Sequence, residues 1–353
     1  MPEIGQEGQD KLSRAKVLVI GAGGLGCPIL QYLTAAGVGT IGVVDFDQVE
    51  TSNLQRQVLF GVSDLGKNKA LVAKEHLLKL NDTIAIHAYP YQLTYQNALD
   101  LFLEYDIIVD GSDNFPTRYL VNDASVITGK PLVYGAIFKF EGQVTVFNYK
   151  NGPSYRCLFP NPPDQGTIPN CSEIGVLGVL PGIIGSMQAN EVLKIILGLG
   201  TVLSGTLLLY NTLTTQTNKL SIERSETEIE KIRAQSTTFR DMKMPFYCDA
   251  DVHDPNIKEL LLYSNIQIID VREYDESPKV VHHGLLQIPL GEIPLRLQEL
   301  DPQKRKVFFC ASGVRSAKAV ALLQEQGLSY CYTIKGGVQT LLDHLKNKEH
   351  ERA

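Results

Sequence analysis

A glycine-rich turn, Gly21-Ala22-Gly23-Gly24-Leu25-Gly26, joins an apolar run at Val17–Ile20 to an amphipathic stretch beginning at Leu25. No other feature of the chain constrains its fold as strongly. Glycines at the first, third and sixth positions, Gly21, Gly23 and Gly26, let the backbone turn tightly between strand and helix and approach a phosphate at the helix N-terminus. The same alternation continues downstream. Thr40–Val44, Ile84–Ala88, Ile107–Val109 and Leu132–Tyr134 read as strands; Leu25–Ala36, Lys67–Leu80 and Thr117–Thr128 read as helices. Strand and helix in alternation specify an α/β fold with a doubly wound, mainly parallel sheet. Gln143–Tyr149 and Thr206–Tyr210 read as further strands, flanking a helix at Gly182–Leu197.

The 353 residues are enough for two domains, and 44% hydrophobic with 20% charged residues is the balance of a soluble globular protein. From Ser221 to about Met244 charged residues crowd together, which reads as a linker, helical in part. Beyond it, strands at Ile266–Asp270 and Lys306–Phe309 and a helix at Ser316–Gln326, stopped by Gly327, specify a smaller α/β domain. The expected division is 1–245, linker included, and 246–353. A net charge of -6 with no basic run argues against a nucleic-acid partner. Met1–Lys16 lacks the apolar stretch of a signal peptide, and Ile174–Leu199 is interrupted by Pro181, glycines, Glu191 and Lys194, so neither export nor a membrane span is expected. A cytoplasmic protein is the expectation.

The polar residues that follow the strands carry the chemistry. Asp45, in Asp45-Phe46-Asp47, ends the second strand, where a carboxylate accepts hydrogen bonds from ribose hydroxyls. Arg56, in Ser52-Asn53-Leu54-Gln55-Arg56-Gln57, offers a rigid charged fork for phosphate oxygens, and Lys69 a point charge. Asp113, in Asp110-Gly111-Ser112-Asp113-Asn114, falls at the carboxyl edge of the sheet, where a hard carboxylate can hold magnesium. Any one of these reads as ordinary surface charge. In this order along one sheet edge they point to ATP, whereas the glycine turn and Asp45 alone fit an NAD-dependent oxidoreductase equally well.

With these motifs in register, the first domain resembles the MoeB and ThiF family of ubiquitin-activating-like adenylating enzymes. The resemblance implies a Rossmann-like fold and an ATP site built from Gly21, Gly23, Gly24, Gly26, Asp45, Asp47, Ser52, Asn53, Leu54, Gln55, Arg56, Lys69, Asp113 and Asn114, with Mg2+ on Asp113. It also implies a reaction: adenylation of the C-terminal Gly-Gly carboxylate of a small β-grasp sulfur carrier of MoaD or ThiS type, for molybdopterin or thiamine biosynthesis, by a homodimer. Two departures stand out. Relatives hold structural zinc with two C-x-x-C pairs, but here Ser154 precedes Cys157 and Cys248 stands without a partner, so no zinc is expected. Relatives also place an arginine that reaches the partner's ATP site just before the position of Met1; either the start is misassigned or the chain lacks that residue, in which case adenylation would be slow.

Six scattered cysteines with no C-x-x-C pair read as individual thiols. Cys310 ends an apolar strand and opens Cys310-Ala311-Ser312-Gly313-Val314-Arg315-Ser316, where loop N–H groups, a helix N-terminus and Arg315 favour a sulfur anion. This loop, Asp270-Val271-Arg272-Glu273, His283-Gly284, Ile288-Pro289-Leu290 and Gly336-Gly337 resemble the rhodanese sulfurtransferases over residues of about 250 to 345. That resemblance implies a persulfide on Cys310, with a cysteine desulfurase as possible donor. Cys171, on the loop Thr167–Gly178, is implied by the adenylating family to form a thioester or acyl disulfide with the activated carrier. Cys27 and Cys331 read as core residues. A non-catalytic module that docks the carrier and relays sulfur is the second functional alternative.

Overall fold

The structure, a computed structural model, describes residues 1–163, 175–242, 266–282, 284–301, 304–325, 331–334 and 336–350. It divides into two units, Met1–Met244 and Pro245–Ala353.

The first unit begins with helix α1 (Gly5–Arg14) and then alternates: β1 (Lys16–Ile20), α2 (Gly26–Ala35), β2 (Thr40–Val44), α3 (Lys69–Leu80), β3 (Ala85–Tyr89), α4 (Ala98–Leu103), β4 (Ile107–Asp110), α5 (Phe115–Thr128) and β5 (Leu132–Phe138). These five strands pair in parallel in the order β3-β2-β1-β4-β5. Three antiparallel strands extend the sheet: β6 (Glu141–Phe147), β7 (Thr206–Asn211) and β8 (Thr217–Ser221). Between β6 and β7 the chain forms the short helix α6 (Tyr155–Leu158) and the long helix α7 (Val179–Leu197).

Helices cover both faces of the parallel part, which is why its strands are apolar at nearly every position. In β1, Val17 and Val19 pack with Leu12, Ile29, Leu33 and Ile184 on one face. Leu18 and Ile20 point the other way, into a core holding Phe102, Tyr105 and Leu120. The period of two assigns alternate residues to the two cores.

Three features depart from the sequence expectation. Helix α1 is anchored by little more than Leu12 and Gly8, so its polar sequence carries too weak an apolar stripe to be noticed. Helix α7 starts ahead of the expected Gly182, with Pro181 in its first turn, where a missing N–H leaves no bond broken. The charged stretch from Ser221, expected as a partly helical linker, forms α8 (Glu226–Ala234), which buries Ile229 and Ile232 against Val126. Past it, Phe239 enters the core beside Tyr95, and Gln96 Nε2 donates to the Arg240 carbonyl at 2.9 Å. Residues up to 242 are therefore packed onto the first unit.

In the second unit, β9 (Ile266–Asp270), β10 (Leu285–Gln287), β11 (Arg305–Phe309) and β12 (Cys331–Thr333) form a parallel sheet in the order β10-β9-β11-β12. Helices α9 (Val314–Glu325) and α10 (Gly337–His350) follow β11 and β12. Separate apolar clusters form around Phe308 and Leu323 and around Phe309 and Leu341, one on each face.

Candidate functional site

In the first unit the strand order reverses about β1, whose neighbours are β2 and β4. Such a switch point leaves a crevice beyond the carboxyl ends of the strands. The glycine turn closes its floor. Gly21 has φ +90°, and a Cβ on Gly26 would stand 2.0 Å from the Gly21 carbonyl oxygen, so these two glycines are demanded by the turn itself. Gly23 differs: the nearest atom to an added Cβ is Gln57 Nε2 at 3.7 Å. There the protein leaves space, and a cavity of about 490 Å³ opens against Gly21, Gly23 and Gly24.

Asp45 is fixed on the wall by two backbone donors, Ala22 N to Oδ2 at 2.7 Å and Asp47 N to Oδ1 at 2.9 Å. Burial pushes its carboxyl up to about 6, against the opposing pull of Lys69 and the two N–H groups. Asn68 caps α3 by accepting from Leu71 N at 3.1 Å, while its Nδ2 donates to the carbonyls of Asp45 and Asp47 at 3.0 and 3.2 Å. That cap delivers Lys69 to the cavity wall, where its largely buried ammonium meets Asp47 Oδ2 at 3.0 Å. Ser52, Asn53, Gln55 and Arg56 also line the cavity, with Arg56 Nη1 donating to the Ser52 carbonyl at 3.1 Å. Asp113 is exposed on the rim.

Three residues of the expected set serve the scaffold. Leu54 packs into the core and is absent from the cavity wall, as an apolar side chain in a polar turn would. Gly26 lies beneath the turn rather than on the cavity surface. Asn114 reaches the wall, but its Oδ1 accepts from Thr117 N at 3.0 Å and so caps α5.

The structure adds a residue that the sequence reading passed over. Arg118, buried, donates to the Ser112 carbonyl at 3.5 Å and lies 5.3 Å from the Phe115 ring centroid and 5.8 Å from that of Tyr134. Its position one helical turn after the capping Asn114 is the signal that pointed to this edge. Beneath it Asp110 is fully buried, and burial raises its carboxyl pKa against the charge of Arg118. Arg118, Asp113 and Ile137 also line a second cavity of about 380 Å³, walled by Tyr119, Tyr134, Tyr155, Phe138 and Phe159. Two cavities, one polar and one aromatic, thus share a wall.

In the second unit Cys310 follows β11 and is buried. Gly313 N donates to its Sγ at 3.0 Å and Ser316 Oγ lies 3.7 Å from it. A Cβ on Gly337 would stand 2.3 Å from the Ala311 carbonyl oxygen, which explains that glycine: it packs under the cysteine loop, and Val338 N donates to the Cys310 carbonyl at 2.7 Å. Arg315 departs from expectation. Its two Nη atoms donate to the two carboxylate oxygens of Glu276 at 2.5 and 2.7 Å, so its charge is engaged by a carboxylate rather than offered to the sulfur alone. Cys171, Cys248 and His283 lie outside the described residues. Cys27 is a core thiol, donating to the Ala22 carbonyl at 3.5 Å and pushed up to about 12 by burial. Cys331 is also buried. Cys157 accepts from Ser154 N and Ser225 N, each at 3.3 Å.

Comparison with known proteins gives the family of each region. A model of the ThiF family matches residues 1–231, and one of the rhodanese-like domain matches residues 255–343. The chain is 56% identical over 230 residues to the sulfur carrier protein adenylyltransferase of Thermus thermophilus, covering 64% of this chain and 85% of that one. It is 40% identical over 351 residues to the probable adenylyltransferase/sulfurtransferase MoeZ of Mycobacterium tuberculosis, covering 96% of this chain and 89% of that one. Among solved structures it resembles E. coli MccB with ATP, at a TM-score of 0.54 and 26% identity over 62% of this chain and 66% of that one. The chain belongs to the ThiF family, and a rhodanese-like domain follows its ThiF region.

Proposed function

We propose that this protein adenylates the C-terminal carboxylate of a small sulfur-carrier protein at the expense of ATP and then sulfurates it from a persulfide on Cys310. The observation that carries the first step is the shared wall of the two cavities. A polar cavity with Arg56 and Lys69 suits a triphosphate, and the aromatic cavity suits a narrow peptide tail. The relatives' names, which join adenylyltransferase with sulfurtransferase and with a sulfur carrier protein, support the same pairing.

In this reading Gly23 and Gly24 let the phosphates approach the backbone, while Asp45 holds the turn and faces the ribose. Arg56 and Lys69 offset triphosphate charge as the carrier carboxylate attacks the α-phosphorus and pyrophosphate leaves. Asp113 fits magnesium, being an exposed hard carboxylate on the cavity rim; the ion supplies further charge neutralisation there. The outer sulfur of the Cys310 persulfide then displaces AMP from the acyl adenylate, giving an acyl disulfide. A second thiolate cleaves that disulfide, releasing the thiocarboxylate and remaining joined to Cys310 as a disulfide; Cys171 is the candidate to hold the activated carrier as a thioester or acyl disulfide.

A surface stripe on α7, with Val179, Gly182, Ile183, Ser186, Met187 and Asn190, supports a homodimer as the working form. Pyrophosphate exchange into ATP tests the main reading. Exchange should depend on a MoaD- or ThiS-like carrier and vanish when the carrier's terminal glycine is removed; exchange indifferent to that residue would sink it. Weighing each carrier after incubation with ATP and a persulfide donor distinguishes the molybdopterin from the thiamine pathway.

A further inference from the structure

The loops after β9 and β11 emerge side by side, because Asp270 pairs in register with Phe309, the residue before Cys310. The β9 loop, Asp270-Val271-Arg272-Glu273-Tyr274-Asp275-Glu276, carries four carboxylates against one arginine. That arginine is already matched: Arg272 Nε and Nη2 donate to the two oxygens of Asp270 at 2.8 and 2.6 Å. The other arginine at the cysteine loop, Arg315, is matched as fully by Glu276. Glu276 is itself held in place, since its Oε1 accepts from Glu273 N at 2.8 Å and its own N–H reaches the Glu273 carbonyl at 3.2 Å. The Arg315 bonds also keep the Glu276 carboxyl below its usual range, so the clamp stays charged.

We infer that Glu276 is a specificity-determining residue of the Cys310 site: by pairing with Arg315 it withholds the charge that a small dianionic sulfur donor needs, and favours sulfane sulfur carried on an uncharged group. This rests on the reading of Cys310 as the sulfur-carrying thiol. With either donor the Cys310 thiolate attacks the sulfane sulfur. Thiosulfate then leaves as sulfite, taking the electron pair of the broken S–S bond; a persulfide leaves as its thiolate. No outside oxidant is required, so the two donors differ at this site chiefly in charge.

The experiment uses the full chain in a thiosulfate-to-cyanide transfer assay, beside transfer from the persulfide of 2-mercaptoethanol, an uncharged thiol. Glu276→Gln keeps the shape and the acceptor for Glu273 N. It should lower KM for thiosulfate about tenfold, with kcat within about threefold and the persulfide, which carries at most one negative charge, changed less than about twofold. A thiosulfate KM that stays put or rises, while persulfide transfer is normal, overturns the inference. Ionic strength gives a second measurement on the unaltered protein: net repulsion predicts a thiosulfate KM that falls as salt is added, and a KM that rises with salt overturns it. If neither donor loads Cys310 in either protein, the sulfur-transfer reading fails as well, which separates the two failures.

Discussion

At the scale of single residues, Asp45 shows how a scaffold tunes a binding group. The sequence marks it as a ribose acceptor, and the structure adds that one of its oxygens braces the glycine turn, the other the bend at Asp47, and that burial lifts its pKa to about 6. The folded chain therefore holds this proton more tightly than the unfolded chain does. Its contribution favours the fold at low pH and is lost as pH rises from the ordinary carboxylate value through about 6. The unfolding free energy of the wild type, measured against Asp45→Asn by urea denaturation, should accordingly fall by about 2 to 3 kcal/mol between about pH 4 and pH 7. A difference that stays flat across that interval would show the carboxylate to be unperturbed. Arg118 carries the complementary lesson. A buried arginine beside two aromatic rings is hidden in the sequence, where it reads as one more polar residue of an amphipathic helix.

At the scale of elements, caps do much of the positioning. Asn68 fixes the start of α3 and with it Lys69; Asn114 fixes the start of α5 and with it Arg118. Strand and helix positions in the parallel half were legible because short apolar runs and helical periods are local signals. Helices α1 and α8 were harder to read, since each buries only a pair of residues and is stabilised by the surface it covers. Helix α7 presents the opposite problem: Val179, Ile183 and Met187 form an apolar stripe on the chain's surface. If that stripe meets a second copy, light scattering should give twice the mass of one chain, and Ile183→Glu should return it to the single-chain mass by burying a charge in the interface. A wild-type mass of one chain at micromolar concentration would end this reading.

At the scale of the whole molecule, two units with separate cores carry two chemistries. Cys310→Ala should abolish sulfur transfer to the carrier while leaving carrier-dependent pyrophosphate exchange within about twofold, because truncating one buried side chain in one core leaves a site built on a separate core nearly unchanged. Exchange falling in step with sulfur transfer would mean that the two activities are not separable. The sequence by itself determined the alternating architecture, the glycine turn, the ribose and phosphate candidates and the cysteine loop, because each depends on residues close together in the chain. Only the tertiary structure decided that Leu54 and Gly26 serve the scaffold, that Arg118 joins two cavities, and that Glu276 claims Arg315 from 39 residues away. The physical reason is that pairing, burial and cavity shape arise where distant segments meet, and no local period records them.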